Sequence, residues 1–169
     1  MTPTATQPDI TDAVQCHQAS LLRYACSLCH DEELARDAVQ DTFIRLVRQN
    51  ETAPPEQLHA WLFKVCRNRI FEILRKRRPM VGTDPADLLI ESPDPSPSQK
   101  LADAERTASL RHLLTTLPPR EQELLRLKFQ NELSYKEIAE VTGLTVSNVG
   151  FILHHAVQTL RQKAAASAS

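Results

Sequence analysis

The stretch from Pro79 to Lys100 constrains the fold most, because its prolines and acidic residues mark the clearest boundary in the chain. It holds five of the eleven prolines, one of the three glycines and four acidic residues. Proline lacks the amide hydrogen that helices and sheets need, so we predict an extended, poorly ordered linker here. The apolar run Leu88 to Ile90 indicates that part of this linker docks in a groove. A chain of 169 residues is then expected to form two small domains.

Composition favours an all-α fold. The chain is 41% hydrophobic, with only three glycines and few β-branched runs. No cationic, apolar leader opens the chain and no apolar run is long enough to cross a membrane, which predicts a cytoplasmic protein without membrane insertion. We predict two helical domains, residues 10–78 and 101–163, joined by a flexible, acidic, Pro-rich linker at 79–100.

Two helices are predicted before Asn50. The first runs from about Val14 to Cys29, with Asp9 or Thr11 before it as a helix start, and the second follows Asp31, an N-cap candidate. Their apolar stripes at helical spacing are Leu21, Leu22, Ala25 and Leu28, and then Val39, Phe43, Leu46 and Val47. One side of the second helix carries two acidic residues, an amide and an apolar residue: Asp37, Asp41, Gln40 and Ile44. This pattern is typical of a docking surface and equally of a helix side that is simply exposed to solvent. A loop is predicted from Asn50 to Pro55.

A basic amphipathic helix is predicted from Gln57 to Arg78. Between Lys64 and Arg78 it carries seven Lys or Arg against one acid, Glu72. Its predicted apolar stripe is Leu58, Leu62, Val65 and Ile73. On another side, cations alternate with an amide and an aromatic ring, as binding of single-stranded nucleic acid requires; these are Lys64, Arg67, Asn68, Phe71, Arg75 and Arg78. A solvated helix face is the alternative for this pattern.

The C-terminal half contains a predicted helix-turn-helix. A stripe of Leu110, Leu113, Leu114 and Leu117 is followed by Pro119 at a helix start and by Leu124, Leu125, Leu127 and Phe129. Ser134 and Glu137 form a capping box, and Gly143 suits the sharp turn. Thr145 or Ser147 caps a last helix whose outward residues should be Ser147, Asn148, Phe151, His154 and His155. Plain helical hairpins share much of this pattern.

Three motifs in this order give the chain its resemblance to a known family. They are DAVQDTFIRLVR from Asp37, AWLFKVCRNRIFEILRKRR from Ala60, and LPPREQELLRLKFQNELSYKEIAEVTGLTVSNV from Leu117. Together they resemble bacterial sigma-70-family sigma factors of the extracytoplasmic-function type. The last motif alone is also similar to LuxR-type regulators.

The resemblance implies a subunit that directs RNA polymerase to promoters and melts them. It implies contacts to the β′ clamp helices and β flap of core polymerase, to promoter DNA, and to an inhibitory anti-sigma protein that no particular residue indicates. The candidate core-binding residues are Asp37, Gln40, Asp41 and Ile44. The candidate minus ten residues are Trp61, Lys64, Arg67, Asn68, Arg69, Phe71, Arg75, Lys76, Arg77 and Arg78, with the loop at 50–55 helping to hold a flipped base. The candidate minus thirty-five residues are Ser134, Tyr135, Thr145, Ser147, Asn148, Phe151, His154 and His155.

Two positions depart from the family pattern. Glu72 stands where the family usually has Asp, and it is expected to pair with a neighbouring Arg. The last helix has no Lys or Arg from Thr145 to Leu160, and Gly150 lowers its intrinsic helix stability by about 1 kcal/mol relative to Ala. Minus thirty-five binding is therefore expected to involve fewer phosphate contacts than is usual.

Other chemistries have less support in the sequence. Cys26, Cys29 and His30 match the CxxCH pattern of haem attachment, but we expect no cofactor. All four cysteines are expected to be reduced, buried thiols: Cys16, Cys26, Cys29 and Cys66. No nucleophile and base spacing or Gly-rich phosphate loop appears, so no catalytic residues are predicted. The alternatives left open are a stand-alone helix-turn-helix regulator, which would bind DNA through Ser134 to Gln162 only, and a cysteine-based metal or redox sensor.

Overall fold

The structure, a computed structural model, describes residues 9–52, 57–77 and 102–167. The chain divides into two compact units, Met1–Gly82 and Thr83–Ser169. The described residues are helical and contain no strand, so the all-α prediction is confirmed for them. The predicted linker at 79–100, Arg78 and residues 53–55 of the predicted loop lie outside the described residues.

Three helices form the N-terminal unit: α1 (Ile10–Cys29), α2 (Glu32–Thr52) and α3 (Leu58–Arg77). Asp9 caps α1 by accepting a hydrogen bond from the Thr11 amide at 3.0 Å, and His30 ends it in the left-handed conformation at φ 51°. Asp31 caps α2 by accepting from the Leu34 amide at 3.2 Å. The loop predicted from Asn50 is wrong at its start, because α2 continues to Thr52.

Aromatic and aliphatic side chains from all three helices meet in the core of this unit. The rings of Tyr24 and Phe63 lie 5.1 Å apart and both are fully buried. The hydroxyl of Thr42, also buried, donates to the Ala38 carbonyl at 2.7 Å, so it brings no unpaired donor into the core. Further buried residues include Leu21, Ala25, Leu28, Leu34, Leu46, Leu62, Cys66, Ile70 and Leu74.

The C-terminal unit contains α4 (Ala102–Thr115), α5 (Pro119–Leu125), a π-helical segment (Arg126–Gln130), α6 (Tyr135–Thr142) and α7 (Val146–Ser167). Pro119 occupies the first turn of α5, as predicted, where its missing amide hydrogen costs nothing. Both hydrogen bonds of the Ser134 and Glu137 capping box are present, and Gly143 ends α6 at φ 77°. The core of this unit contains Leu117, Leu124, Leu125, Leu127, Leu133, Ile138, Val141, Val149, Leu153 and Ala156.

Three residues of the predicted apolar stripes are exposed, namely Val47, Leu110 and Phe129, and Leu110 lines an open groove together with Phe129. Phe129 is 67% exposed, because the π-helical segment places an extra residue in its turn and changes the direction of the side chains that follow Leu127. Val47 is exposed because α2 packs on α1 and α3 through Ala35, Ala38 and Leu46 instead. Among the described residues, no helix is long and apolar enough to span a membrane.

Candidate polymerase and nucleic-acid interfaces

The outward side of α2 carries the predicted core-binding line. Asp37, Gln40 and Ile44 are exposed, one turn apart along the helix. Asp41 differs from them, because it is half-buried and its Oδ2 accepts a hydrogen bond from Nε of Arg69 at 2.7 Å. Three of the four predicted residues are therefore open to a partner, while the fourth is bound to α3.

An apolar groove between α1 and α2 borders this line. Its polar positions are Gln18, Arg36 and Gln40, and its floor is formed by aliphatic and aromatic side chains. The apolar lining residues are Ile10, Val14, Leu22, Val39, Phe43, Ile44 and Val47. Asp37 and Gln40 therefore lie next to an apolar surface, and a protein partner could cover that surface.

Arg69 joins α2 to α3 through two carboxylates. Besides Asp41, its Nη1 lies 3.2 Å from Oε1 of Glu72. The hydrogen bond that Arg69 donates to Asp41 is the main cause that raises the pKa of Arg69, and the charges of Asp41 and Glu72 add to it. The contact with Arg69 confirms the expectation that Glu72 pairs with a neighbouring Arg. The Glu72 carboxylate is also 3.8 Å from the ammonium of Lys76.

The exposed cations of α3 lie mostly at its C-terminal end. Arg75, Lys76 and Arg77 are exposed there, and Lys64 is exposed nearer the start. The partners recorded for Lys76 and Arg77 are surface carboxylates at 3.8 and 3.5 Å, Glu72 and Asp31, and such exposed pairs are weak enough to exchange for phosphate. Of the remaining candidates, Asn68 is exposed and Trp61 is half-buried.

Two residues of the predicted DNA-facing side of α3 are instead buried. Arg67 is 5% exposed and Phe71 is 3% exposed, with the Arg67 guanidinium 4.3 Å from the centre of the Phe71 ring. This cation and ring contact lies inside the unit, because α3 packs against both α1 and α2 and so buries more than one stripe. The prediction that the Phe71 ring is free to stack on an unpaired base is therefore wrong for this conformation.

All the candidate residues of the helix-turn-helix are exposed. Thr145 caps α7 by accepting from the Asn148 amide at 3.1 Å, so Thr145 and not Ser147 is the cap. The outward set lies along one side of α7 and at the start of α6, opposite the buried Val149 and Leu153: Ser134, Tyr135, Thr145, Ser147, Asn148, Phe151, His154 and His155. This is the arrangement that lets a helix enter a DNA groove.

Lys128 is a surface cation that sequence reasoning missed. Its ammonium lies 5.2 Å from the centre of the Tyr135 ring, and that ring lies 3.5 Å from where a Cβ at Gly150 would stand. Tyr135 therefore packs beside Gly150 of α7 at a distance that a Cβ would also tolerate, and Lys128 lies on the Tyr135 ring beside the helix-turn-helix. No sequence spacing links Lys128 to Gly150, so only the fold could identify this cation.

A second apolar groove lies within the C-terminal unit, between α4, the π-helical segment and α7. Phe129 and Leu110 are strongly exposed at its edge, and Arg111 and Arg126 are its charged members. Burial lowers the pKa of Arg126, and the nearby Glu123 carboxylate opposes that effect. The remaining lining residues are Leu114, Leu125, Gln130, Val157 and Leu160.

The cysteines have different environments. Burial raises the pKa of Cys66 to about 12, which keeps this thiol protonated, and burial also raises the pKa values of Cys26 and Cys29. The expectation of buried thiols is confirmed for Cys29 and Cys66, but Cys26 is only half-buried and Cys16 is exposed. In the described parts of the chain, no group of three or more His, Cys, Asp or Glu side chains is arranged to hold a metal ion.

Comparison with known proteins divides the chain at the same place. Residues 13–79 match the family described as sigma-70 region 2, and residues 107–160 match sigma-70 region 4. The extracytoplasmic-function (ECF) RNA polymerase sigma factor SigL of Mycobacterium tuberculosis is 32% identical over 152 residues, which cover 86% of this chain and 82% of SigL. SigM of Bacillus subtilis is 27% identical, with 90% and 93% covered.

SigE of Mycolicibacterium smegmatis, another ECF sigma factor, is 30% identical over 159 residues. Those residues are 93% of this chain but only 62% of SigE, so the chain spans less than two thirds of that relative. Among solved structures, CnrH in complex with the cytosolic domain of CnrY has a TM-score of 0.60 at 25% identity, covering 93% of this chain and 88% of that one. The sigma factor RpoE of Bartonella quintana, solved with the anti-sigma factor NepR, has a TM-score of 0.66 at 22% identity, covering 91% and 95%.

Proposed function

The chain belongs to the sigma-70 family of RNA polymerase sigma factors, in its extracytoplasmic-function group, and from this premise we propose how its surfaces divide the work of initiation. It binds core polymerase and directs it to a subset of promoters. The observation that carries this function is the presence of both family regions, at 13–79 and 107–160, in one chain. A stand-alone regulator would need only the second region.

Core polymerase is proposed to bind two surfaces. The outward side of α2 would contact the β′ clamp helices through Asp37, Gln40 and Ile44, with the neighbouring groove covering apolar surface of the partner. The groove beside Phe129 in the C-terminal unit would take an apolar segment of the β flap. Both assignments are supported by exposed apolar side chains, which are costly to leave in water.

The C-terminal end of α3 is proposed to hold the melted minus ten strand. Lys64, Arg75, Lys76 and Arg77 would contact phosphates, while Asn68 and Trp61 would contact bases. Arg69 would act from within the protein, because its pairs with Asp41 and Glu72 hold α2 and α3 in register. For Arg67 and Phe71 a supporting role inside the unit fits their burial better than direct DNA contact.

The helix-turn-helix is proposed to read the minus thirty-five element in the major groove. Asn148 and Ser147 lie at the start of α7, where base contacts are made in this class of motif, and Phe151 could contact a thymine methyl group. Lys128, placed by Tyr135, would supply a phosphate contact that α7 itself does not provide.

Run-off transcription with purified core polymerase tests the function. The template would be a promoter identified by mapping transcript starts after overexpression of the protein. Transcription that requires both the chain and core polymerase supports the proposal. Binding to the promoter duplex without any rescue of transcription would indicate the stand-alone regulator instead.

An inhibitory protein partner is a further proposal. CnrH, which has 25% identity to this chain, was solved with the cytosolic domain of another protein, CnrY. A partner of this kind should copurify with the tagged chain in the absence of inducing stress and should suppress run-off transcription when it is added back. A copurifying protein that leaves transcription unchanged would count against it.

A further inference from the structure

One carboxylate of the C-terminal unit is poorly compensated by its surroundings. Glu121, in the first turn of α5, has a side chain that is only 13% exposed. Its Oε1 lies 2.9 Å from Nδ1 of His155 on α7, while Oε2 is buried without a hydrogen-bond partner among the described residues. Since burying a carboxylate is costly, its contact with His155 is the interaction that offsets this cost.

The contact fixes which ring nitrogen of His155 faces inward. An ionised carboxylate only accepts hydrogen bonds, so the proton shared with Glu121 belongs to Nδ1. Nε2 is therefore the nitrogen left for a partner outside the protein. The Phe151 ring stacks one turn earlier at a 17° interplanar angle, with its centre 6.5 Å from that of His155. Phe151 is 72% exposed, so both rings belong to the outward side of α7.

The protonation state of His155 then decides what Nε2 offers. With Nδ1 protonated, a neutral imidazole presents Nε2 as an acceptor, whereas an imidazolium presents it as a charged donor. This matters because α7 has no Lys or Arg from Thr145 to Leu160. Glu121 is the charged group that contacts His155 from α5, and His154 and Arg120 flank the pair along their own helices.

We propose that Glu121 is a positioning residue that orients His155, so that Nε2 of the protonated ring donates to an acceptor of the minus thirty-five DNA. The acceptor is guanine O6 or N7, or a phosphate oxygen, both of which take a charged donor. We expect minus thirty-five binding to be stronger at lower pH, because the ring protonated on both nitrogens is the form that donates from Nε2. This inference rests on the proposed function of α7.

Holoenzyme made with the full chain is tested on a promoter library with a randomised minus thirty-five element, at about pH 6 and about pH 8. The wild type should bind its enriched sequences about tenfold better at the lower pH, the effect of one charge-assisted hydrogen bond. His155→Gln should lose this ratio, and His155→Arg should bind well at both values. Dividing the affinity of each protein by that of His155→Gln at the same pH removes any effect of pH on polymerase itself.

The variant Glu121→Gln distinguishes an effect on the orientation of His155 from an effect on the stability of the unit. Its side-chain amide can still accept a hydrogen bond from Nδ1 of His155, but it carries no charge. We expect it to shrink the pH ratio and relax sequence preference while the folded unit persists. An acid-dependent gain of guanine at one position identifies the base as the acceptor. A uniform gain with a salt slope steeper by about one identifies phosphate.

Two results would overturn the inference: a pH ratio that is equal in wild type and His155→Gln, or a Glu121→Gln variant that is less stable yet keeps the wild-type ratio and base preference. Asn148→Ala shows which proposal has failed. If it weakens binding while the His155 variants behave as wild type, only this inference is wrong. If Asn148→Ala has no effect either, the proposed role of α7 is wrong.

Discussion

Neutralising the C-terminal end of α3 should reduce the salt dependence of promoter opening by a predictable amount. Of the six cations described in α3, Arg67 is buried and Arg69 is held by two carboxylates, which leaves Lys64, Arg75, Lys76 and Arg77 exposed. The variant Arg75→Gln, Lys76→Gln, Arg77→Gln removes three of these four.

Each phosphate contact to a single strand contributes about 0.7 to the slope of log affinity against log salt. Losing three contacts should lower the magnitude of that slope by about 2. When the salt concentration rises from about 50 to about 200 mM, the affinity of the wild type for DNA should fall by a factor about 20 times larger than that of the variant. At low salt the variant should still bind core polymerase, because α2 is unchanged, but it should open the promoter much less than the wild type does.

The assay is a salt titration of open-complex formation by holoenzyme, with polymerase binding measured separately. The matched control is Arg75→Lys, Lys76→Arg, Arg77→Lys, which keeps every charge at the same place and should keep the wild-type slope. An unchanged slope in the Gln variant, or promoter opening at the wild-type level, would refute the assignment of this surface.

Three further outcomes are expected. Thiol reagents should modify Cys16 rapidly and leave Cys66 unmodified until unfolding, since one thiol is exposed and the other is buried with a pKa of about 12; fast labelling of Cys66 in the native protein would contradict this. Phe129→Ser should weaken core binding several-fold in a pull-down while raising solubility, and unchanged binding would remove the C-terminal groove from the interface. Burial, and then the charge of His59, lowers the pKa of His17, so the unfolded chain takes up a proton that the folded unit resists. Stability of the N-terminal unit should therefore fall as the pH drops below about 6.5, and His17→Gln should reduce that loss in thermal unfolding curves.

Local signals in the sequence predicted where several helices begin. The caps at Asp9 and Asp31, Pro119 in its first turn and the capping box at Ser134 each depend on a few neighbouring residues. Such contacts span three or four positions, so they can be identified before any tertiary structure is known. The family resemblance followed from the same local motifs and is confirmed by both matched regions.

The sequence did not determine which side of a helix is buried when two neighbours pack against it. Of the predicted stripe in α3, Leu62 is fully buried while Leu58, Val65 and Ile73 are only half-buried, and Cys66, Ile70 and Leu74 complete the covered centre. Periodicity gives one preferred side, but contact with both α1 and α2 covers a wider arc of the helix, and this moved Phe71 into the core.

By itself, then, the sequence determined the helices, their caps, the family and the cation-poor character of α7, because all of these depend on residue type and short spacing. Only the tertiary structure decided which cations remain exposed, that Asp41 is bound to Arg69, that Lys128 contacts Tyr135 of α6, and that Glu121 contacts His155 on the outward side of α7. The contacts of Asp41, Lys128 and Glu121 join residues 28, 7 and 34 positions apart, each in a different helical segment, and packing selects their partners, which no local pattern encodes.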